Sequence, residues 1–155
     1  MGCALIASPF FSLSSHAEAN VFLLRLLSAD GTNRLSRECA LTLRAALGRI
    51  SCNARQFVIT GNERFFSAGA DLTEVAALDA PSAYEFSLIG RDLMCLIEQF
   101  PAPVYTAVSG YCMGGALDLA LACHRRIAAP GAVFGHRGAA LGLITGWGGT
   151  QAGRG

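Results

Sequence analysis

The sequence contains no lysine; all twelve basic residues are arginine. Without a lysine amine the chain has no Schiff-base chemistry, no Walker-type phosphate lysine and no Ser-Lys nucleophile. Arginine-only usage also follows from GC-rich coding, and no function is attached to it. Charge of either sign is scarce. Charged residues are 15% of the 155, against roughly a quarter in a typical soluble domain. So little charge predicts a chain that buries much of itself, partly against other subunits or a segment outside these residues. The net charge of +1 leaves no electrostatic footprint for nucleic acid. No apolar run reaches the roughly 18 residues of a membrane span, so no membrane partner is expected. None of the six cysteines forms a C-x-x-C pair, and none combines with a histidine at zinc-ligand spacing, so no metal is expected. They are read as small buried thiols of a reducing cytoplasm, Cys95 within LMCLI and Cys123 within LALAC among them.

What is present is apolar and rich in glycine. Eighteen glycines are too many for a plain helical bundle, and the length suits one domain. Residues 1–19, MGCALIASPFFSLSSHAEA, have no positive n-region, the first basic residue being Arg25. Ile6 stands where a myristoylation motif needs Ser or Thr. This stretch is read as a leader of uncertain order before the fold. Val21 to Leu27 reads as a strand, and Ser36 caps a helix to about Ile50 with Cys39, Leu43, Leu47 and Ile50 on its apolar face. Phe57 to Thr60 is a strand. Asp71-Leu-Thr-Glu74 is a capping-box start, with Glu74 reaching back. A longer helix runs from Asp79-Ala-Pro81 to about Gln99, its stripe marked by Phe86, Ile89, Leu93, Leu96 or Ile97, and Phe100. Strands follow at Val104–Val108, Arg126–Ala129 and Val133–Phe134. Strands alternating with helices predict an α/β domain with a mostly parallel sheet. The last segment, from Gly146 to Gly155, has no periodic pattern, and the domain is read as incomplete there.

Two stretches share one layout of strand, small-residue turn and helix start: Phe57–Thr60 leading to Phe65-Phe-Ser-Ala-Gly-Ala70-Asp71, and Val104–Val108 leading to Gly110-Tyr-Cys-Met-Gly114-Gly115. The first N–H groups of a helix have no internal partner, and small residues let a ligand approach them. If the turns face each other, two donors converge on one oxygen, the arrangement of an oxyanion hole. The plain alternative is ordinary turn glycine. GYCMGG is not the G-x-G-x-x-G nucleotide fingerprint, and no P-loop occurs.

In order and spacing, SAGADLTEV, PAPVYTAVSGYCMGGALDLALACHRRIAA and FGHRGAALGLITGWGGTQ resemble the successive signatures of the crotonase (enoyl-CoA hydratase/isomerase) family. The resemblance covers about Asn20 to Gln151, which sets a crotonase-like core at 20–151 and an atypical tail at 152–155. It implies a spiral of ββα units lacking the family's C-terminal helical portion. It also implies an acyl-CoA thioester as substrate, coenzyme A as part of it and no separate cofactor. A homotrimer or hexamer in the full-length protein, and a cytoplasmic enzyme, are implied as well. Carried over by position, Ala70 and Gly115 donate the oxyanion-hole N–H groups. Gly31, Thr32, Ala68 and Asp71 lie along CoA, Gly114 is a further substrate- or CoA-binding residue, and Gly146 is an active-site glycine near the acyl group.

The chain departs from that pattern at the acid/base positions. The first family glutamate is Asp118 here. The second is Gly138, which has no side chain, and Arg137 replaces the usual preceding proline. Asp118 is therefore the expected acid/base, the alternative being a helix residue paired with Arg125 or Arg126. His136 is the nearest other titratable group, since imidazole changes charge in the physiological pH range; the alternative is a strand residue pointing elsewhere. Trp147 either lines the acyl pocket or packs in the core. The function implied is an acyl-CoA enzyme stabilising a thioester enolate. The alternatives are a non-catalytic CoA-binding chain, or isomerase, decarboxylase or thioester-hydrolase chemistry on the same fold.

Overall fold

In the computed structural model, which describes residues 3–53 and 55–149, the chain opens with β1 (Cys3–Ala7), β2 (Phe11–His16) and β3 (Val21–Leu26), followed by α1 (Arg37–Ile50). Three strand pairs follow. β4 (Gln56–Thr60) and β5 (Phe65–Ser67) lead into α2 (Leu72–Ala76) and α3 (Ala80–Glu98). β6 (Val104–Val108) and β7 (Tyr111–Met113) lead into α4 (Gly115–Ala122). β8 (Arg125–Ala128) and β9 (Val133–Gly135) lead into a 3-10 turn at Gly138–Leu141. The first strand of each pair joins a six-stranded sheet in the order β1-β2-β3-β4-β6-β8, and the second joins a small sheet in the order β5-β7-β9. β1 to β3 are antiparallel, and the rest of both sheets is parallel. The result is the expected ββα spiral with a mostly parallel sheet.

Local chemistry sets the helix boundaries. The Ser36 hydroxyl accepts from the Cys39 amide at 3.1 Å. Asp79 and Ser82 form a reciprocal capping box, each side chain accepting from the other's amide at 2.9 Å. Asp71 caps α2, accepting from the Thr73 amide at 2.9 Å. Glu74 does not reach back as expected. Its carboxylate accepts instead from the Arg37 amide at 2.9 Å, so it supplies an acceptor and negative charge to the first turn of α1. On α3 the buried stripe is Phe86, Ile89, Leu93 and Ile97, with Met94 and Gly90 beside it. It packs with the α1 stripe and the inner sheet face into one buried cluster.

Three expectations need correction. Residues 3–16 are not a loose leader: β2 pairs with β3 from Phe11–Leu26 to His16–Val21, and Phe11 and Leu13 are buried. The Phe-Ser-Leu-Ser alternation is a strand signal that the segment's Ser/Ala composition conceals. β5 and β7 were expected as plain turns. They are three-residue strands, too short for periodicity to reveal, that cross over to the second sheet. The crossing is tight, since a Cβ at Gly110 would fall 2.0 Å from the Arg64 carbonyl oxygen. Cys95, on α3, and Cys52, in a 3-10 turn after α1, are exposed, whereas Cys39, Cys112 and Cys123 are buried. Burial pushes the Cys39 and Cys112 thiols up to about 12. Gln151 and the tail at 152–155 lie outside the described residues. Among the described residues no helix is long and apolar enough to cross a membrane.

Candidate active site

The two small-residue turns meet. The first leaves β5 through Gly69, whose φ is +90°. A Cβ on Gly69 would lie 2.3 Å from the Met113 carbonyl oxygen and 3.2 Å from the Gly115 nitrogen. The turn entering α2 therefore rests on the turn entering α4 with no room for a side chain between them. Ala70 is bridged to Leu35 by hydrogen bonds on either side of it, from the Leu35 amide to the Gly69 carbonyl at 2.8 Å and from the Asp71 amide to the Leu35 carbonyl at 3.4 Å. In a parallel bridge of this kind Ala70's own N–H points away from Leu35. Gly115 opens α4, where an amide has no intrahelical acceptor. The Cβ position of Gly115 is 3.6 Å from the Ala70 nitrogen. Among the described residues neither amide has a protein acceptor, and both residues line a cavity of about 600 Å³.

The early loop braces the first turn. The Ala68 amide donates to the Thr32 carbonyl at 2.9 Å. Asn33, buried at φ +53°, donates to the Phe65 and Phe66 carbonyls at 3.1 and 3.2 Å. The Asn62 amide group donates to the Gly31 carbonyl at 2.8 Å. Asp30 ties the loop to itself: bonds from Thr32, then Ser28, hold its carboxyl down at about 2. Of the expected site residues, Ala68, Ala70, Gly114, Gly115, Asp118, His136 and Gly146 line the cavity. Gly31, Thr32 and Asp71 do not, and the Asp71 carboxylate is engaged as the α2 cap.

Asp118 sits one turn into α4 and is 3% exposed. Thr145 donates its hydroxyl proton to Oδ2, while Oδ1 is buried without a hydrogen-bond partner. Burial pushes the carboxyl pKa up, and the Thr145 bond and the neighbouring His136 pull it part of the way back. Arg126 turns away, donating to the Cys123 carbonyl at 2.8 Å at the end of α4. The alternative pairing of Asp118 with Arg126 is thus not made; His136 lies beside the carboxylate instead, its Nε2 3.9 Å from Oδ1. Trp147 is both core and wall. It is 4% exposed, lies 5.2 Å from the Phe86 ring and lines the cavity. The Cβ position of Gly115 is 3.0 Å from its indole. Thr145 and Phe86 went unmarked as site residues; no local spacing links either to the turns. The apolar wall from α2, Leu72 and Val75, was detectable as an i, i+3 pair. Among the described residues no cluster of His, Cys, Asp and Glu is placed to hold a metal.

The model of the family described as "Enoyl-CoA hydratase/isomerase" matches residues 16–153. The chain belongs to this family. It is 42% identical over 124 residues to a "Probable enoyl-CoA hydratase" of Bacillus subtilis, a match covering 77% of this chain and 47% of that protein. It is 34% identical over 137 residues to a "Crotonyl-CoA hydratase" of Syntrophomonas wolfei, covering 86% of this chain and 53% of the relative. Among solved structures, the enoyl-CoA hydratase of Bacillus anthracis superposes with a TM-score of 0.85 at 35% identity, over 92% of this chain and 56% of that one. This enoyl-CoA hydratase/isomerase chain thus spans about half the length of the relatives it matches.

Proposed function

We propose that the protein acts on an acyl-CoA thioester and stabilises its enolate, adding water across a conjugated enoyl double bond. The observation that carries this is the pair of unpartnered amides, Ala70 and Gly115, held against each other on the wall of one cavity. A thioester oxygen placed between them gains two hydrogen bonds that strengthen as negative charge develops on it. The apolar walls from Val75, Phe86 and Trp147 suit an acyl chain. Asp118 is the acid/base. The residue lines the same cavity, its carboxyl is buried and raised in pKa with one oxygen unpartnered, and a raised carboxyl is better matched to proton transfer near neutral pH. The CoA portion leaves along Ala68 and the Gly31–Thr32 loop, which are hydrogen-bonded to each other, with Asp71 beside them. Gly114 and Gly146 line the cavity beside the acyl group. No separate cofactor takes part in this reading; the full-length protein assembles as a trimer or hexamer and works in the cytoplasm.

Mixing full-length protein with crotonyl-CoA tests this by the loss of the conjugated enoyl absorbance. No change with a folded protein would remove the hydratase reading. One observation favours a second reading, a CoA-binding chain without turnover: Asp118 is the sole carboxylate among the described cavity-lining residues. Binding of acyl-CoA with no change in any acyl-CoA supplied would select it.

A further inference from the structure

Hydration moves two protons, one away from the attacking water and one onto the α-carbon. Among the described residues the titratable side chains on the cavity wall are Asp118, His136 and Arg137, and an arginine does not give up its proton in proteins. Asp118 presents its unpartnered Oδ1 toward His136 Nε2 at 3.9 Å. That is beyond hydrogen-bond length but within reach of a small turn of the ring. A buried carboxylate oxygen without a partner is costly, so an imidazole placed there answers a real deficit. Glycine at 138 leaves the ring room at this position. A Cβ at Gly138 would fall 3.0 Å from His136 Cε1 and 3.1 Å from its Nδ1, and a longer side chain would compete with the ring for the same wall. Gly138 leaves the space, and His136 fills it.

We propose that His136 is the second proton carrier of this site, working with Asp118; the proposal rests on the acyl-CoA reading above. The Asp118 carboxylate takes a proton from water as the water oxygen bonds to the β-carbon. The π pair of the double bond moves to form the enolate, and the carbonyl pair moves onto the thioester oxygen between the Ala70 and Gly115 amides. The His136 imidazolium then donates its proton to the α-carbon as the enolate returns to a thioester. The proton on Asp118 passes to the neutral imidazole across the Oδ1 to Nε2 gap, which restores both groups. One water is added and nothing else is consumed.

The test is deuterium uptake at the α-carbon of butyryl-CoA in heavy water, read by mass spectrometry on the full-length protein beside acetoacetyl-CoA binding. His136→Gln is expected to lower uptake about 100-fold or more, the scale of one general acid/base, with acetoacetyl-CoA affinity unchanged. Added imidazole is expected to restore part of the uptake to His136→Ala, which a merely structural role would not allow. Wild-type uptake in His136→Gln overturns the proposal. So does loss of binding together with uptake in that variant, or a wild-type protein that binds acetoacetyl-CoA and exchanges nothing. A wild-type protein that binds no acyl-CoA removes the acyl-CoA reading, and this proposal with it.

Discussion

Replacing Gly69 by alanine drives the two turns apart, and the size of the effect follows from the geometry. The new methyl carbon would stand 2.3 Å from the Met113 carbonyl oxygen, where ordinary contact begins at 3.4 Å. One turn must therefore retreat by roughly 1 Å. A retreat of that size takes a hydrogen bond of about 2.9 Å out of bonding range. One of the Ala70 and Gly115 donors is then lost to the thioester oxygen, a loss of about 3 kcal/mol of transition-state stabilisation, or about 100-fold in rate. Alanine at a φ of +90° adds about 1–2 kcal/mol of folding cost. Gly142→Ala separates the two effects. Its φ is +70° and nothing lies within 4 Å of the added carbon, so it carries the backbone cost without the clash. The assay is kcat/KM for crotonyl-CoA hydration beside the thermal midpoint of each variant. Both variants are expected to lose stability, and only Gly69→Ala the rate. A Gly69→Ala protein with wild-type kcat/KM, or a Gly142→Ala protein equally slowed, refutes the reasoning.

Asp118→Asn is expected to reduce hydration by about 10²–10⁴-fold and yet to stabilise the fold at neutral pH. Burial raises the Asp118 pKa above 3.8 in the folded chain, so the folded state holds that proton more tightly than the unfolded state. The stability this group contributes is full below the unfolded value and drains away as pH rises through the raised folded value. In denaturant unfolding the stability of Asp118→Asn relative to wild type is expected to be greater at neutral than at acidic pH; the same relative stability at both contradicts the assignment. Trp147→Ala removes a ring 4% exposed and 5.2 Å from Phe86. It is expected to lower unfolding free energy by about 3–5 kcal/mol, and an unchanged thermal midpoint would exclude Trp147 from the core.

Much of the fold was legible because its signals are short-range. Ser36, Asp71 and Asp79 cap helices within three residues of themselves, and the stripes of α1 and α3 repeat at helical spacing. The parallel sheet followed from strands separated by helices. β5 and β7 escaped because three residues carry no period, and they are held by partners far along the chain. β2 was readable in its alternation but hidden by a composition that suggested a leader. At the site, the small residues of both turns were legible as a pattern, and Asp118 and His136 as positions in a resemblance. Thr145 was not: its bond to Asp118 spans 27 residues, and no local rule links a threonine in LITGWGG to an aspartate in α4. Nor does sequence spacing show that Gly69 lies against Met113, a contact that exists only once the two sheets have crossed.

The central claim is that two main-chain amides from separate turns hold one thioester oxygen. A crystal structure of the full-length protein with acetoacetyl-CoA measures this directly. The expected result is the thioester oxygen about 2.7–3.1 Å from both the Ala70 and the Gly115 nitrogens, with the acyl chain against Trp147. A thioester oxygen bonded to neither amide, or a ligand bound outside this cavity, contradicts the account.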